Sequence, residues 1–317
     1  GVKESLESDW NMLTLLEEKK ENKPTVLVLT KASDELSETG EKIKSASEKL
    51  GMSFFAVHTD HAFIVDKDMT DDNITIHNYD GNNKKINLVT DNTICFIRGG
   101  AMVNYAGMGL AKILEDSGVF TVNRVSRMEF CQNKFITALA LERNNILSPR
   151  TSLVNSEDSI DVSLEKVGGK FPVILKTITG AEGIGVSKVD SYDSLKSVLQ
   201  SLWKFDAEII MQEYMKITHD VRTLVLDGKI IASVKRIKGG KDFRTNKALG
   251  NDTAPYKLSK EEKEIILKTA KMSDCYFYGI DHITVNGKHY VLEVNGSPGS
   301  GADPYYGYIE GNEGPDL

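Results

Sequence analysis

Two short turn sequences in the last third of the chain restrict its fold more than any other feature. Asp227-Gly228 separates the runs DVRTLVL and KIIASVKRI, and Asn286-Gly287 separates GIDHITV from HYVLEVNGSPG. Asp-Gly and Asn-Gly between apolar runs are strong short-range signals for a two-residue β-hairpin. A helix is predicted from Ser259, because Glu262 three positions on completes a capping box. This region is therefore expected to combine antiparallel hairpins with a helix.

The first part of the chain alternates strand and helix patterns instead, which predicts an α/β domain. The run NITIHNYDGNNKKINLV alternates apolar and polar residues on both sides of a polar turn, so it predicts a hairpin. The run TICFIRGG predicts a buried strand that ends at Arg98, where ligands gather in open α/β sheets. The remaining elements predicted here are strands at 25–30 and 53–59 and helices at 37–51 and about 102–118.

The middle of the chain predicts a second region of mixed helix and strand. A helix is expected from Arg127 to Asn145, because apolar residues recur there at helical spacing. The apolar strand FPVILK, a glycine-rich loop, a helix over 192–205 and the strand EIIMQEYM over 208–215 follow. A chain of 317 residues is long for a single core, so two or three domains are expected.

Composition excludes several classes of protein. A net charge of −7 and a pI of about 5.5 argue against a protein that coats nucleic acid, because phosphate backbones are neutralised by clustered Lys and Arg. The three cysteines are far apart and form no C-x-x-C pair, so a reduced, cytoplasmic setting is expected. No apolar run approaches the roughly 20 residues of a membrane helix, so no membrane partner is predicted. A homo-oligomer is left open.

The glycine-rich stretch TITGAEGIGV has two interpretations. Gly180, Gly183 and Gly185 follow an apolar run that ends at Lys176, and they suit either a phosphate-binding loop or an ordinary hairpin turn. Lys176 requires a counter-charge or solvent, and a nucleotide phosphate is one such counter-charge. Lys134, within an amphipathic helix, is by itself best explained as part of a solvated helix face.

Three oxygen-bearing side chains converge on the last hairpin. Glu293 and Asn295 lie on one face of their strand, since residues i and i+2 share a side, and Asp281 on the partner strand can face the same patch. Two carboxylates and an amide oxygen suit Mg²⁺, with substrate phosphates completing its coordination. The alternative is that all three are solvated residues on the polar face of a hairpin.

From Arg127 onward the chain resembles the ATP-grasp superfamily, most closely its RimK-type carboxylate–amine (glutamate) ligases. The resemblance rests on PVILKTITGAEGIGV, IIMQEYM, DVRTLVLDGK, KDFRTN, GIDHITV and LEVNGSPG, which stand in family order and near family spacing. It implies an amino-terminal α/β pre-ATP-grasp (substrate) domain at 1–124 and a two-lobed α+β ATP-grasp domain at 125–317. The lid lobe is expected over about 125–207 and the metal-binding, catalytic lobe over 208–317.

The resemblance also implies roles for individual residues. Lys134 and Lys176 match the lysines that hold the α and β phosphates, and the glycine loop matches the flap that closes over them. The metal ligands correspond to Asp281, Glu293 and Asn295, and the catalytic residues to Arg222, Arg244 and Asn246. Further nucleotide-binding positions are Gly180, Gly183, Gly185, Glu213, Tyr214, Met215, Asp220 and Arg236. Independently of the resemblance, Arg98 at the end of its predicted strand is a candidate to bind the carboxylate substrate. The alternatives are that it caps the next helix or pairs with a surface acid.

The implied activity is an ADP-forming ligation through an acyl phosphate, with ATP and two Mg²⁺ ions, for which Mn²⁺ can substitute. Glutamate or another amino acid would be joined to a peptide or protein carboxylate. One alternative is a ligase for small amino acids, or one that links the side chains of a ribosomally made peptide. The other is an ATP-binding regulatory module without turnover, against which the full set of lysines and metal-ligand candidates argues.

Overall fold

The computed structural model of the chain describes residues 23–31, 36–60, 63–67, 73–78, 84–98, 100–102, 104–180, 185–237 and 252–299. The chain has a mixed α/β fold and divides into two compact units, Gly1–Val125 and Ser126–Leu317. Three of the predicted site residues, Gly183, Arg244 and Asn246, lie outside the described residues. No helix in the described part of the chain is both long and apolar enough to cross a membrane.

The first unit contains one parallel and one antiparallel sheet. Its strands are β1 (Thr25–Thr30), β2 (Ser53–His58), β3 (Phe63–Lys67), β4 (Asn73–Asn78), β5 (Lys84–Val89), β6 (Thr93–Ile97) and β7 (Phe120–Val122), and its helices include α1 (Glu38–Lys49) and α2 (Tyr105–Asp116). The parallel sheet has the order β2-β1-β6-β7, and the antiparallel sheet has the order β3-β4-β5. β1 is buried along its whole length, as expected of a central parallel strand. The predicted pairing of the 73–89 hairpin is confirmed by the β4–β5 ladder.

The second unit begins with helices and an antiparallel sheet. Its elements are α3 (Val125–Gln132), α4 (Lys134–Arg143), β8 (Thr151–Leu153), α5 (Ile160–Lys166), β9 (Val173–Thr177), β10 (Val186–Val189), α6 (Tyr192–Trp203) and β11 (Ile209–Glu213). The sheet has the order β10-β9-β11-β8. One face packs against α5 and α6 through a buried apolar cluster that includes Leu175 and Met211. Because side chains alternate along a strand, Lys176 and Gln212 point to the other face.

The predicted single helix over 127–145 is wrong, because the chain forms two helices there. The side chain of Asn133 accepts a hydrogen bond from the amide of Ile136 and so caps the start of α4. The amide of Lys134 donates to the carbonyl of Ile178, beyond the end of β9. Lys134 is therefore the first residue of α4, held at the end of β9 rather than placed within a continuous helix.

The last sheet contains both predicted hairpins. Its elements are β12 (His219–Leu226), β13 (Lys229–Ile237), β14 (Asp252–Pro255), α7 (Lys260–Ser273), β15 (Phe277–Val285) and β16 (Lys288–Asn295), with strand order β14-β13-β12-β15-β16. The turn residues Asp227, Gly228, Asn286 and Gly287 all have positive φ, from 47° to 73°, as a two-residue turn of type I′ requires. The predicted capping box at the start of α7 is also confirmed.

The two sheets of the second unit divide between Glu213 and His219 rather than at the lobe boundary expected near 207. β11 pairs with β9 and β8, so it belongs to the first sheet although its sequence lies beyond that boundary. A separate buried cluster joins the last sheet to α7, with Ile266 and Ala270 packed near Ile280 and Val294. Each sheet of this unit thus has its own core and leaves one face for polar side chains.

Candidate nucleotide and metal site

Polar residues share one face of the last sheet. The strand ladders place Asp220 opposite Arg236, Arg222 opposite Asp281, and Asp281 opposite Glu293. Directly opposed residues of an antiparallel pair project to the same side of the sheet. Asn295 lies opposite Gly279, two positions along from the Asp281–Glu293 pair. The three residues predicted as metal ligands therefore lie on one face, together with two arginines.

The register of the last hairpin contributes to this arrangement. The pairing shifts between Asp281 and His282, so that Asp281 opposes Glu293 while His282 opposes Val291. A β-bulge of this kind changes the direction of side chains on the bulged strand. The buried imidazole of His282 is hydrogen-bonded to Thr223, with 3.0 Å between Nε2 and Oγ1. Burial lowers the pKa of His282 to about 4, so this residue is neutral near pH 7.

Asp281 is the centre of a buried ion network. Its Oδ1 accepts from Nε of Arg222 and its Oδ2 from Nη2, both at 2.7 Å. Nη2 of Arg236 also donates to Oδ2 at 2.7 Å, and Arg236 makes a two-point contact with Asp220. Burial by itself raises the pKa of Asp281, but the two arginines outweigh it and hold that pKa well below its usual range. Asp281 is therefore ionised across the physiological pH range.

The two lysines and Glu293 line one pocket of the second unit. The pocket also includes Gln212, Cys131, Thr137 and apolar side chains from β11, α4 and β16. Nζ of Lys176 donates to Oε1 of Gln212 at 2.8 Å, and Nζ of Lys134 donates to the carbonyl of Gly180 at 2.7 Å. Burial lowers the pKa of both lysines, whereas the charge of Glu293 opposes that shift. Two cations are thus held in a partly desolvated pocket, which suits a polyanionic ligand.

The glycine-rich loop joins two antiparallel strands. β9 pairs with β10, with Lys176 opposite Val186, so the loop is the connection of a hairpin. Gly180 and Gly185 have φ of 132° and 76°, values that favour glycine. A Cβ on Gly185 would lie 2.8 Å from Oγ1 of Thr177, which leaves no room for a larger residue. The hairpin interpretation is confirmed, and binding of phosphate by this loop stays a prediction.

The end of β11 and the residues after it present three of the predicted nucleotide-binding residues. Glu213 is fixed by Arg150, whose Nε lies 2.6 Å from Oε2 of the carboxylate. The ring of Tyr214 lies under the ammonium of Lys188, 5.5 Å from its centroid. Met215 follows directly and is half-buried. These residues extend from the same strand as Gln212, which lines the pocket.

Arg98 lies in the first unit, directly after β6. Its side chain is buried, with 6% of the residue exposed, and its amide donates to the carbonyl of Leu29. Burial lowers the pKa of Arg98 to about 10, so the guanidinium stays charged at neutral pH. The predicted contact with a substrate carboxylate stays a prediction.

The donor set fits magnesium. Asp281, Glu293 and Asn295 offer hard oxygen atoms on one sheet face, the ligand type that Mg²⁺ prefers. Within the described ranges, no three His, Cys, Asp or Glu side chains gather to hold a metal ion by themselves. A cation here would therefore need oxygen atoms from a phosphate ligand, as is usual for Mg²⁺ at nucleotide sites.

Two residues of this region, Gln212 and Arg150, are not among those predicted from the sequence. Gln212 is a polar residue inside the apolar run EIIMQEYM, and only 6% of it is exposed. A buried amide in a strand requires hydrogen-bond partners, so that position carried a detectable signal. Arg150 follows Pro149 in a loop and carried no such signal, because its partner Glu213 is 63 positions away.

Comparison with known proteins identifies similar sequences. The family model of the RimK-like ATP-grasp domain matches residues 131–306. A probable alpha-L-glutamate ligase of Marinomonas sp. (strain MWYL1) is 30% identical over 261 residues, which cover 81% of this chain and 83% of the relative. Probable alpha-L-glutamate ligase 2 of Pseudoalteromonas atlantica is 32% identical over 204 residues, which cover 64% of this chain and 67% of the relative.

Solved structures share the fold at low sequence identity. The ATP-grasp ligase PsnB complexed with a minimal precursor superposes with a TM-score of 0.64 at 17% identity, covering 88% of this chain and 92% of that one. The macrocyclase MdnC of Microcystis aeruginosa MRC, bound to the precursor peptide MdnA, gives 0.65 at 16% identity, with 87% and 92% covered. D-alanine–D-alanine ligase of Bacillus anthracis complexed with ATP gives 0.60 at 19% identity, with 87% of each chain covered. The predicted ATP-grasp fold is therefore confirmed.

Proposed function

The chain belongs to the RimK-like ATP-grasp family, and from that premise we propose that it is an ADP-forming carboxylate–amine ligase. It joins glutamate or another amino acid to a peptide or protein carboxylate. The relatives named above are probable glutamate ligases; one of the similar structures contains a minimal precursor and another a precursor peptide. These names support the choice of an amino acid as one substrate and a peptide as the other.

One observation carries this proposal. Lys134, Lys176 and Glu293 line a single pocket, and Glu293 lies directly opposite Asp281, which two arginines bind. The pocket therefore continues into a sheet face that carries both positive and negative groups. Such a site suits a nucleoside triphosphate, whose negative charge is neutralised in part by lysines and arginines.

The reaction has two steps. An oxygen of the substrate carboxylate attacks the γ-phosphorus of ATP, the bond to the β-phosphate oxygen breaks, and ADP leaves. The amine then attacks the carbonyl carbon of the acyl phosphate, inorganic phosphate leaves, and the amine loses a proton to form the amide. Lys134 and Lys176 hold the α and β phosphates, and Arg222 stabilises charge on the transferred phosphoryl group. Arg244 and Asn246, together with Arg222, are assigned to the γ-phosphate.

Asp281, Glu293 and Asn295 would hold magnesium, as two ions that Mn²⁺ can replace. Bound there with ATP, the metal would neutralise phosphate charge and polarise the phosphoryl group. The two arginines keep Asp281 ionised, and strand pairing holds Asp281 and Glu293 on one sheet face. Arg236 supports this arrangement, because it joins Asp281 to Asp220 in one network.

Further residues are assigned individually to the nucleotide and to the acceptor substrate. Glu213, Tyr214 and Met215 are assigned to the nucleoside, and the loop that begins at Gly180 and ends at Gly185 is assigned to the phosphates. Arg98 is assigned to the carboxylate of the acceptor substrate, because a guanidinium binds a carboxylate at two points.

ADP release in the presence of candidate substrates tests the proposed function. The purified chain is supplied with ATP, Mg²⁺, each amino acid and glutamate-tailed peptides, and products are identified by mass spectrometry. Lys176→Met should abolish product formation, whereas Lys170→Met, at an exposed lysine before β9, should not. Products made from two free amino acids, or cross-linked within one peptide, would replace the proposed substrates by the alternative ones. Absence of ATP binding and of every product would refute the ligase.

A further inference from the structure

Arg150 holds Glu213 by both its backbone and its side chain. The amide of Arg150 donates to Oε1 of Glu213 at 3.1 Å, and Nε donates to Oε2 at 2.6 Å. Nη2 also lies 2.6 Å from Oε2, and the amide of Glu213 donates to the carbonyl of Arg150. Glu213 ends β11 and its side chain is 18% exposed, so its carboxylate has one defined orientation.

A glycine leaves the space that the Arg150 guanidinium occupies. Gly168 follows the end of α5 with φ of 113°, and a Cβ there would lie 2.4 Å from Nη2 of Arg150. The neighbouring Gly169 also has positive φ, 65°, but a Cβ there would meet no atom within 4 Å. Substitution of Gly168 therefore displaces the arginine, while the same substitution at Gly169 strains the backbone without touching it.

The carboxylate of Glu213 can accept one further hydrogen bond. A carboxylate has about four lone-pair sites, two on each oxygen. Nε and Nη2 of Arg150 occupy those of Oε2, and the amide of Arg150 occupies one of those on Oε1. Oε1 is thus the atom from which a ligand contact is expected. A nucleotide offers a carboxylate only its ribose hydroxyls and its amino group as donors.

Charge supports the same assignment. A free carboxylate next to a pocket with two lysines would repel a triphosphate, and an adjacent guanidinium removes that repulsion. The side chain of Arg150 is 58% exposed, and exposed ion pairs contribute little to stability. Its contribution is therefore expected in ligand binding rather than in folding.

We propose that Arg150 is a positioning residue for the nucleotide: it orients Glu213 so that Oε1 accepts a hydrogen bond from a ribose hydroxyl. This inference rests on the proposed function, since it requires that the pocket binds ATP. Arg150 itself does not touch the reacting atoms. Gly168 contributes to the Arg150–Glu213 arrangement because it leaves room for the guanidinium.

Nucleotide affinity, measured by calorimetry without turnover, tests this role. The ligands are ATP, 2′-deoxyATP and 3′-deoxyATP, and the variants are Arg150→Gln, Glu213→Gln and both together. A hydrogen bond to a charged group contributes about 1.5–3 kcal/mol, so ATP affinity should fall about 10- to 150-fold in Arg150→Gln. Affinity for the deoxynucleotide that lacks the bound hydroxyl should change far less, and the double variant should be no weaker than Glu213→Gln.

Two controls separate positioning from a general structural effect. Gly168→Ala should reproduce the loss of ATP affinity, whereas Gly169→Ala should not. Lys166→Gln removes another exposed ion pair, with Glu142, and should leave binding unchanged. In steady state, Arg150→Gln should raise KM for ATP much more than it lowers kcat.

Several results would overturn the inference. Equal losses for ATP and both deoxynucleotides, or unchanged ATP affinity in Arg150→Gln, would show that Arg150 does not act through a ribose contact. If the wild-type chain binds ATP and forms product, and Arg150→Gln does both equally well, this inference alone is refuted. A wild-type chain that binds no ATP would refute the inference and the proposed function together.

Discussion

Arg222 and Asp281 lie opposite each other on β12 and β15 and form a two-point ion pair, with both nitrogen–oxygen distances at 2.7 Å. Arg236 adds a third contact to the same carboxylate. Asp281, a predicted metal ligand, therefore has its charge balanced by arginines that are themselves suited to phosphate. Binding of phosphate and binding of metal are expected to depend on each other at this point.

We expect metal affinity to depend on nucleotide. A cation must compete with two arginines for Asp281, and a phosphate that attracts Arg222 removes part of that competition. Mn²⁺ binding, followed by electron paramagnetic resonance, should be weak alone and at least about tenfold tighter with a non-hydrolysable ATP analogue, a coupling of ordinary size. Lys176→Met, titrated in the same way, corrects for Mn²⁺ held by free nucleotide. Equal affinities with and without the analogue would contradict this coupling.

Glu293→Gln and Asp281→Asn should differ in stability although both reduce activity. Asp281→Asn leaves half-buried Arg222 and buried Arg236 without a full counter-charge, so the free energy of unfolding should fall by about 3 kcal/mol. Glu293 is half-buried, and its replacement should cost less than about 1 kcal/mol. Ligase rates should fall on the order of a hundredfold or more in both variants. Denaturant unfolding and ADP release measure the two effects, and similar stabilities would argue against the ion network.

As pH rises, ADP affinity should begin to fall at a lower pH than the one at which an ordinary lysine loses its proton. Burial lowers the pKa of Lys176 from 10.5, and nearby Lys134 lowers it further, while Glu293 opposes both. The ammonium that attracts phosphate is present below the folded-state pKa and is lost as pH rises through it. Lys176→Arg keeps its charge, so its affinity should decline less steeply. Calorimetric titrations from neutral pH upward test this, and parallel profiles for the two proteins would exclude Lys176 as the titrating group.

The same pKa shift has the opposite effect on folding. Between the folded-state pKa and 10.5, the unfolded chain binds more protons at this lysine than the native chain. The contribution of Lys176 to the free energy of unfolding therefore rises with pH across that window. The free energy of unfolding of Lys176→Arg should not show this rise with pH.

All three thiols should be unreactive in the native protein. Cys95, Cys131 and Cys275 are free and buried, and the sulfur atoms of Cys131 and Cys275 lie 3.7 Å apart. Burial raises the pKa of Cys95, and the contact with Cys275, together with burial, raises that of Cys131. Iodoacetamide should label none of them in native buffer and all three in guanidinium chloride, as counted by mass spectrometry.

Nucleotide should slow any residual labelling of Cys131, because this residue lines the pocket with the two lysines. Cys95 lies in the first unit and serves as the internal control for general changes in stability. Rapid labelling of Cys131 in the native protein would contradict the buried environment. Equal protection of Cys95 and Cys131 by nucleotide would show that protection does not come from the pocket.

The sequence alone determined the features that depend on neighbouring residues. The hairpin turns at Asp227-Gly228 and Asn286-Gly287 followed from residue types that tolerate positive φ, and the capping box at Ser259 followed from a spacing of three. Strand alternation likewise placed Glu293 and Asn295 on one face. The order of motifs from Arg127 onward indicated the ATP-grasp family.

Tertiary structure decided which side chains meet. The break at Asn133 follows a contact of Lys134 with the chain beyond β9, and helical periodicity contains no information about that contact. Arg150 reaches Glu213 across 63 positions, and Arg222 reaches Asp281 across 59. Such pairs depend on strand register and on bulges like the one beside Asp281, which pairing between distant segments sets. Turns and helix caps depend on neighbouring residues and can therefore be predicted from the sequence. The ion pairs of the site form only once the sheets have assembled, because their partners lie on distant strands.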